Sequence, residues 1–281
     1  HAERGRALNA PPTGEPHCVS DLDWIAPLLQ ELVHLNVAGR SAGHIGCLTA
    51  LRHCGSLESI RIRGSAVLRD MSPLWRPNTA LAKSLVRLDL SESRNLVGVD
   101  LDDIMPGGLP HLQVLNIDGC HGIRDIEFVH HLPELRQLNA SRLDDLLRIP
   151  FVIDETTGAG MLGCRKLEKL RMDFCPRLVD LHGLWRLEHL AELSLHFCSA
   201  VNSIWNLEEC RQLKTVTLSY TAVSSVAPLA NLHALQQLDL RHTQVPHSAL
   251  RELRGLRQLE PLSLAGCGHV LSLEPLAQLP S

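Results

Sequence analysis

An α/β solenoid of about ten short repeats, curved, with a parallel sheet on its concave side and short helical turns on its convex side, is the fold class this sequence predicts. Three observations carry it. The motif L-x-x-L-x-L/M-x-F-C occurs twice in the same phase, at Leu167 and, 23 residues on, at Leu190. The apolar fraction of 44% is mostly leucine, with only four Phe and one Tyr, as a stack of small identical layers requires. Within each repeat, moreover, the apolar positions change from alternation to a spacing of three.

Residues 1–17 are rich in Pro, Gly and charge without periodicity and read as a tail or linker, leaving 18–281 for the repeat domain. Val19, Leu22, Ile25 and Leu28 then have the spacing of a convex half-repeat. With the first Leu of each strand as position 1, repeats begin at Leu32, Leu57, Leu85, Leu112, Leu135, Leu167, Leu190, Leu213, Leu235 and Leu259. Their separations run from 22 to 32 residues, and the variation falls after position 9, where insertions enter loops or the convex side. A chain that starts at His1 and stops in LAQLPS, with no polar element to cover the last layer, is expected to be a fragment of a longer protein.

Positions 4 and 6 are apolar in nearly every repeat, for example Leu115 and Ile117, Leu170 and Met172, or Leu193 and Leu195. Period-2 alternation predicts a short strand with one buried face. Leu178, Leu181, Leu184 and Leu187, like Val223, Val226, Leu229 and Leu232, follow at a spacing that suits a single turn of α or 3₁₀ helix. Between the halves stand Asp70, Asp125, Asp180, Ser203, Ser225 and Ser272, whose side-chain oxygens are expected to act as N-caps. Pro73, Pro228 and Pro275 fit the first helical turn, where a missing N–H costs little.

LQVLNIDGCHGIRDIEFVHHL and LEKLRMDFCPRLVDLHGLWRL resemble leucine-rich repeats of the short cysteine-containing type. Similar repeats occur in intracellular leucine-rich repeat proteins of kinetoplastids, in F-box adaptors and in plant immune receptors. The resemblance covers roughly residues 19–279 and implies the scaffold, while partner choice lies outside the residues that define it. Arg40 and Leu143 at position 9, and the 32-residue fifth repeat, depart from the pattern.

Position 9 holds Cys120, Cys175, Cys198 and Cys267, with Ser65, Ser93, Thr221 and Thr243 in other repeats. All are small side chains with a donor hydrogen, suited to satisfying turn carbonyls from inside. Cys54, Cys164 and Cys210 form a second row three residues before the next repeat; Cys18 and Cys47 fall outside both. Side chains in one row point the same way and no C-x-x-C occurs, so buried, reduced thiols in a cytoplasmic or other reducing compartment are expected.

A formal net charge of −4 and a pI near 6.5 provide no electrostatic footprint for nucleic acid or an anionic membrane, and no stretch is apolar enough to span a bilayer. Residues 158–163 satisfy G-x-G-x-x-G but lack the strand before and helix after that a phosphate loop needs, and read as a flexible insertion. His130 and His131, Asp144 and Asp145, and the acidic run at 100–103 read as solvated loop or convex residues. The sequon at Asn139 lies on a strand and is not expected to be glycosylated. No triad, metal or phosphate constellation emerges, so neither catalysis nor a cofactor is expected.

Positions 3, 5, 7 and 8 point away from the buried row and are free to encode a partner. In repeats 6 to 9 they place Lys169, Arg171, Phe174, His196, Phe197, Tyr220, Arg241 and His242 on one surface, together with Ser219 and Asp239. Phe174, Phe197 and Tyr220 share position 8 in successive repeats and should form one stripe continued by His242. Rings beside arginines make the composition that carries binding energy at interfaces. Phe128 and Phe151, at position 17, belong to another face; Trp75, Trp185 and Trp205 are expected to cover their own layers, and the 151–163 insertion is a second candidate contact. The predicted function is a protein-interaction scaffold that binds a protein partner on its concave face. A structural component of a large ribosomal, cytoskeletal or flagellar assembly, and the substrate-recognition arm of a ubiquitin ligase, are the alternatives.

Overall fold

Position 4 of every repeat sets the register of the sheet. The computed structural model describes residues 6–9, 31–38, 45–46, 48, 51, 53–68, 79–96, 108–150, 152–153, 160–161, 164–185 and 187–276. They fall into two units, His1–Asn139 and Ala140–Ser281. In the first, strands β1 (Arg6–Asn9), β2 (Leu32–Ala38), β3 (Ser59–Arg63), β4 (Arg87–Asp89), β5 (Val114–Asn116) and β6 (Gln137–Asn139) lie parallel in chain order. Leu35 pairs with Ile60, Ile60 with Leu88, Leu88 with Leu115 and Leu115 with Leu138. A slip of one residue would turn every position 4 and 6 to solvent, which is why the ladder holds this phase. Arg6–Asn9 lies inside the stretch whose composition reads as a tail, yet it pairs with β2 as a strand.

The fifth repeat carries β7 (Val152–Ile153) and β8 (Gly160–Met161), paired antiparallel. Of the glycine-rich segment, Gly160 and Met161 are described, and they form one strand of this antiparallel pair. The second unit continues with β9 (Lys169–Arg171), β10 (Glu192–Ser194), β11 (Thr215–Thr217), β12 (Gln237–Asp239) and β13 (Leu262–Ser263), again parallel, with Leu170, Leu193, Val216, Leu238 and Leu262 in one row. From Leu35 to Leu240 the side chains at positions 4 and 6 are at most 3% exposed. The Leu178–Leu187 and Val223–Leu232 sets are buried too, so each layer closes its own core between strand and turn.

Among the described residues the opposite side carries 3₁₀ turns at Glu127–His131, His182–Leu184, Trp205–Leu207, Ala227–Leu229, His247–Gly255 and Glu274–Leu276, and the short helix α1 (Ala80–Ser84). Thr79 caps α1 by accepting from the Ala82 N–H at 3.0 Å. Pro228 and Pro275 stand in the first turn of their helices, as the missing N–H favours. The expected caps behave differently. Asp125, Asp180, Ser225 and Ser272 accept from the N–H two residues on, at 2.8 to 3.4 Å, and so close Asx or ST turns one residue ahead of the helical cap. A single 3₁₀ turn starts too abruptly for the longer N-cap reach. Ser203 makes no such bond among the described residues, and Asp70 and Pro73 lie outside them.

Two further expectations need correction. His130 is not solvated: its side chain is only 11% exposed, with Nε2 3.6 Å from Glu127, because the turn Glu127–His131 buries Phe128 and Val129 beside it. Trp205 does not cover its layer. It is 45% exposed, and the residue turned inward there is Asn206. Trp185 is half-buried, while Cys18, Cys47, Trp75, Phe151 and the run at 100–103 lie outside the described residues. Gly183 is fixed by space, since a Cβ there would collide with the Pro150 carbonyl and the Ile149 side chain.

Candidate protein interface

Where each layer turns away from its strand, position 8 takes a left-handed backbone. Gly64, Gly119 and Gly266 do so with φ between 70° and 78°, and Glu92, Arg142, Phe174, Phe197, Tyr220 and His242 with φ between 54° and 64°. For a non-glycine residue this conformation costs about 1 kcal/mol. In four successive layers of the second unit the costly position is occupied by a ring. Phe174 and Phe197 stack at 5.0 Å between centroids, Phe197 and Tyr220 at 4.1 Å, and Tyr220 and His242 at 4.3 Å, with planes within 18° of parallel. The stripe thus follows the phase of position 8. His242 lies over Gly266, whose missing side chain leaves room for the imidazole.

The rings cover one another's faces and leave their edges toward solvent; Phe174 and Phe197 are 46% and 39% exposed. His196, at position 7, stands edge-on to Phe174, Phe197 and Tyr220 at 4.5 to 5.7 Å. Its orientation comes from below, where Nδ1 is 2.7 Å from the Ser219 hydroxyl, and Ser219 in turn interacts with Asp239. Ser219 is fully buried and not on the surface where alternation placed it, as are Ser91 and Ser141 at the same position of their layers. Longer side chains at this position, such as His196 and Arg241, still reach the surface, whereas the short serine side chains do not.

The expected cationic residues stand at the same surface, but each has a carboxylate beside it. Lys169 Nζ is 2.6 Å from Glu192, and Arg171 Nε is 3.6 Å from Asp173. Arg241 forks onto Asp239 through Nε at 2.9 Å and Nη2 at 2.7 Å. Although burial works the other way, Arg241 and Ser219 hold the Asp239 carboxyl below the usual range. Histidine, serine and aspartate do meet here, but in the wrong order for acyl transfer. The hydroxyl sits between the imidazole and the carboxylate and is out of solvent, whereas a nucleophile needs the base between itself and the acid.

Beneath the rings, position 9 completes the turns. Cys120, Cys175, Cys198 and Cys267 donate to the Leu90, Ala140, Met172 and Leu240 carbonyls of the preceding layers at 2.9 to 3.5 Å. Thr221 and Thr243 instead bond the Leu218 and Leu240 carbonyls of their own layers, at 2.6 and 2.7 Å. Ser65, the serine at position 9 of the second repeat, also reaches back a layer, donating to the Ile45 carbonyl at 2.9 Å. Cys210, in the second row, donates to Leu184 at 3.2 Å. Burial pushes the Cys54 thiol up to about 11 and those of Cys120, Cys164 and Cys210 up to about 12, and hydrogen bonding to Cys175 together with burial raises Cys198 further. These are scaffold thiols without thiolate reactivity.

No family model and no curated protein matches the sequence. Solved structures do. An internalin (InlF) from Listeria monocytogenes superposes with a TM-score of 0.60 at 20% identity, over 92% of this chain and 74% of that one. A leucine-rich repeat protein of Leptospira interrogans superposes with a TM-score of 0.57 at 20% identity, over 90% and 53%. The fold is a leucine-rich repeat solenoid. A chain of the mouse RP105/MD-1 complex superposes with a TM-score of 0.52 at 19% identity, over 84% of this chain and 42% of that one. Identities this low establish the leucine-rich repeat fold alone, and the likeness to kinetoplastid proteins stays an expectation. Among the described residues no helix is long and apolar enough to cross a membrane.

Proposed function

We propose that this leucine-rich repeat chain is a non-enzymatic interaction scaffold that docks a protein partner on the concave sheet face of its second unit, with the Phe174–Phe197–Tyr220–His242 ladder as the anchor. One observation carries the reading. Four rings occupy backbone positions where glycine is free of strain, and they leave large apolar edges in solvent. Stacking contributes about 0.5–1.5 kcal/mol per pair, close to the backbone cost, so the ladder gives the fold little. Strained, exposed aromatic side chains are a recurrent mark of recognition sites. The RP105/MD-1 neighbour is itself a complex, which agrees with an interaction role.

Lys169, Arg171 and Arg241 contribute specificity at the rim more than affinity, since each already has a local partner. Phosphate backbones are poor partners for a chain of net charge −4. The buried thiols, used as hydrogen-bond donors, favour a reducing compartment. Quantitative affinity purification with the wild-type chain and with Phe197→Gly/Tyr220→Gly identifies the partner as the protein retained by the first and lost by the second. Identical recovery on both baits would refute the ladder as anchor.

A further inference from the structure

A different surface of the second unit carries positive charge with no ion-pair partner among the described residues. The 3₁₀ helix His247–Gly255 spans nine residues, and at three residues per turn its side chains fall on three faces. Leu250, Leu253 and the following Leu256 are buried on one. Arg251, Arg254 and, just beyond the helix end, Arg257 recur at the same spacing and are exposed. Arg171, Arg177, Arg211 and Arg241 each sit beside a carboxylate, but among the described residues these three have no carboxylate partner. Glu252 on the adjoining face, Glu260 three residues after Arg257, and Glu274 in the neighbouring turn form no ion pair with them among the described residues. Arg251 Nε instead donates to the Ser248 carbonyl at 2.7 Å and Arg254 Nε to the Pro275 carbonyl at 2.9 Å, which fixes the stems and leaves the Nη groups free.

We propose that Arg251, Arg254 and Arg257 form a docking row for an extended acidic peptide segment. Three residues of 3₁₀ helix advance about 6 Å, and same-side residues of an extended chain repeat at roughly 6.7 Å. Carboxylates at alternate residues therefore match the backbone step from Arg251 to Arg254, with Arg257 continuing the row beyond the helix end, and each guanidinium can bind one carboxylate with two parallel hydrogen bonds. Stems held by backbone carbonyls lose less entropy on binding. The row stands apart from the aromatic ladder and does not depend on it.

The test is fluorescence anisotropy of the whole chain with a labelled peptide of alternating Glu and Ser, against a Gln-Ser peptide of equal length, at low ionic strength. The row predicts saturable binding of the Glu-Ser peptide only, weakened at least tenfold by Arg251→Gln/Arg254→Gln/Arg257→Gln with an unchanged thermal melt. Arg177→Gln, which removes a cation paired with Asp145, should leave it unchanged. The proposal is overturned if the wild type fails to bind the Glu-Ser peptide, if the triple variant binds it equally well, or if Arg177→Gln weakens it as much. Tighter binding of a single-stranded oligonucleotide of equal charge also overturns it, in favour of phosphate recognition.

Discussion

Single side chains show how narrowly a layer is specified. Donors at position 9 satisfy backbone carbonyls, but Ser93 does not: it is fully buried and its hydroxyl has no hydrogen-bond partner among the described residues. Ser93→Cys should extend the donor toward the Ile62 carbonyl, the equivalent of the acceptor that Cys120, Cys198 and Cys267 use. Satisfying a buried polar group is worth about 1 kcal/mol, so urea denaturation should show a higher midpoint for the variant; a lower one would mean that sulfur does not fit. His130 offers a test of sign. Burial lowers its pKa from the ordinary value of 6.5, opposed in part by Glu127. As pH falls the unfolded chain takes up the proton first, so the contribution is present above 6.5 and is lost as pH falls toward the folded value. Thermal melts between about pH 7 and pH 5 should therefore decline less steeply for His130→Gln than for the wild type, and parallel slopes would contradict the burial.

At the scale of the element, each layer stands on its neighbours. Leu195 is fully buried, and its N–H bonds the Thr217 carbonyl of the next strand. Leu195→Asp would place an unpaired charge between layers at a cost of several kcal/mol, read as a large drop in the urea midpoint. An unchanged cooperative transition would disprove the register. The strands and turns were legible in the sequence because leucine spacing reports burial directly, as the row from Leu170 to Leu262 shows. What escaped was geometry that hydrophobic pattern does not encode. The left-handed turn at position 8 left a trace only in Gly64, Gly119 and Gly266, and alternation alone does not distinguish the short, buried Ser219 from the longer His196 and Arg241 that reach the surface from the same position. Trp205 was assigned inward because bulk suggests burial, but the 3₁₀ phase turned Asn206 in. The Asx and ST turns at Asp180 and Ser272 use the residues expected for caps, and only the bonding distance along the chain differs.

For the molecule as a whole, scaffold and recognition are carried by different residues of the same turn. Thiols and hydroxyls at position 9 close each layer from inside, while the rings at position 8 accept backbone strain and face solvent. That division predicts separable effects. Truncating a buried Phe costs about 3–5 kcal/mol, whereas Phe197→Gly removes partial burial and stacking but relieves a left-handed φ of 58°, for a net loss of about 2 kcal/mol or less. The most direct measurement is the affinity of the purified partner for Phe197→Gly/Tyr220→Gly and for the wild type, with urea denaturation of both proteins alongside. The interface account predicts at least a tenfold loss of affinity with stability largely retained. Unchanged affinity, or a variant that no longer folds cooperatively, would contradict it and make the aromatic ladder part of the scaffold.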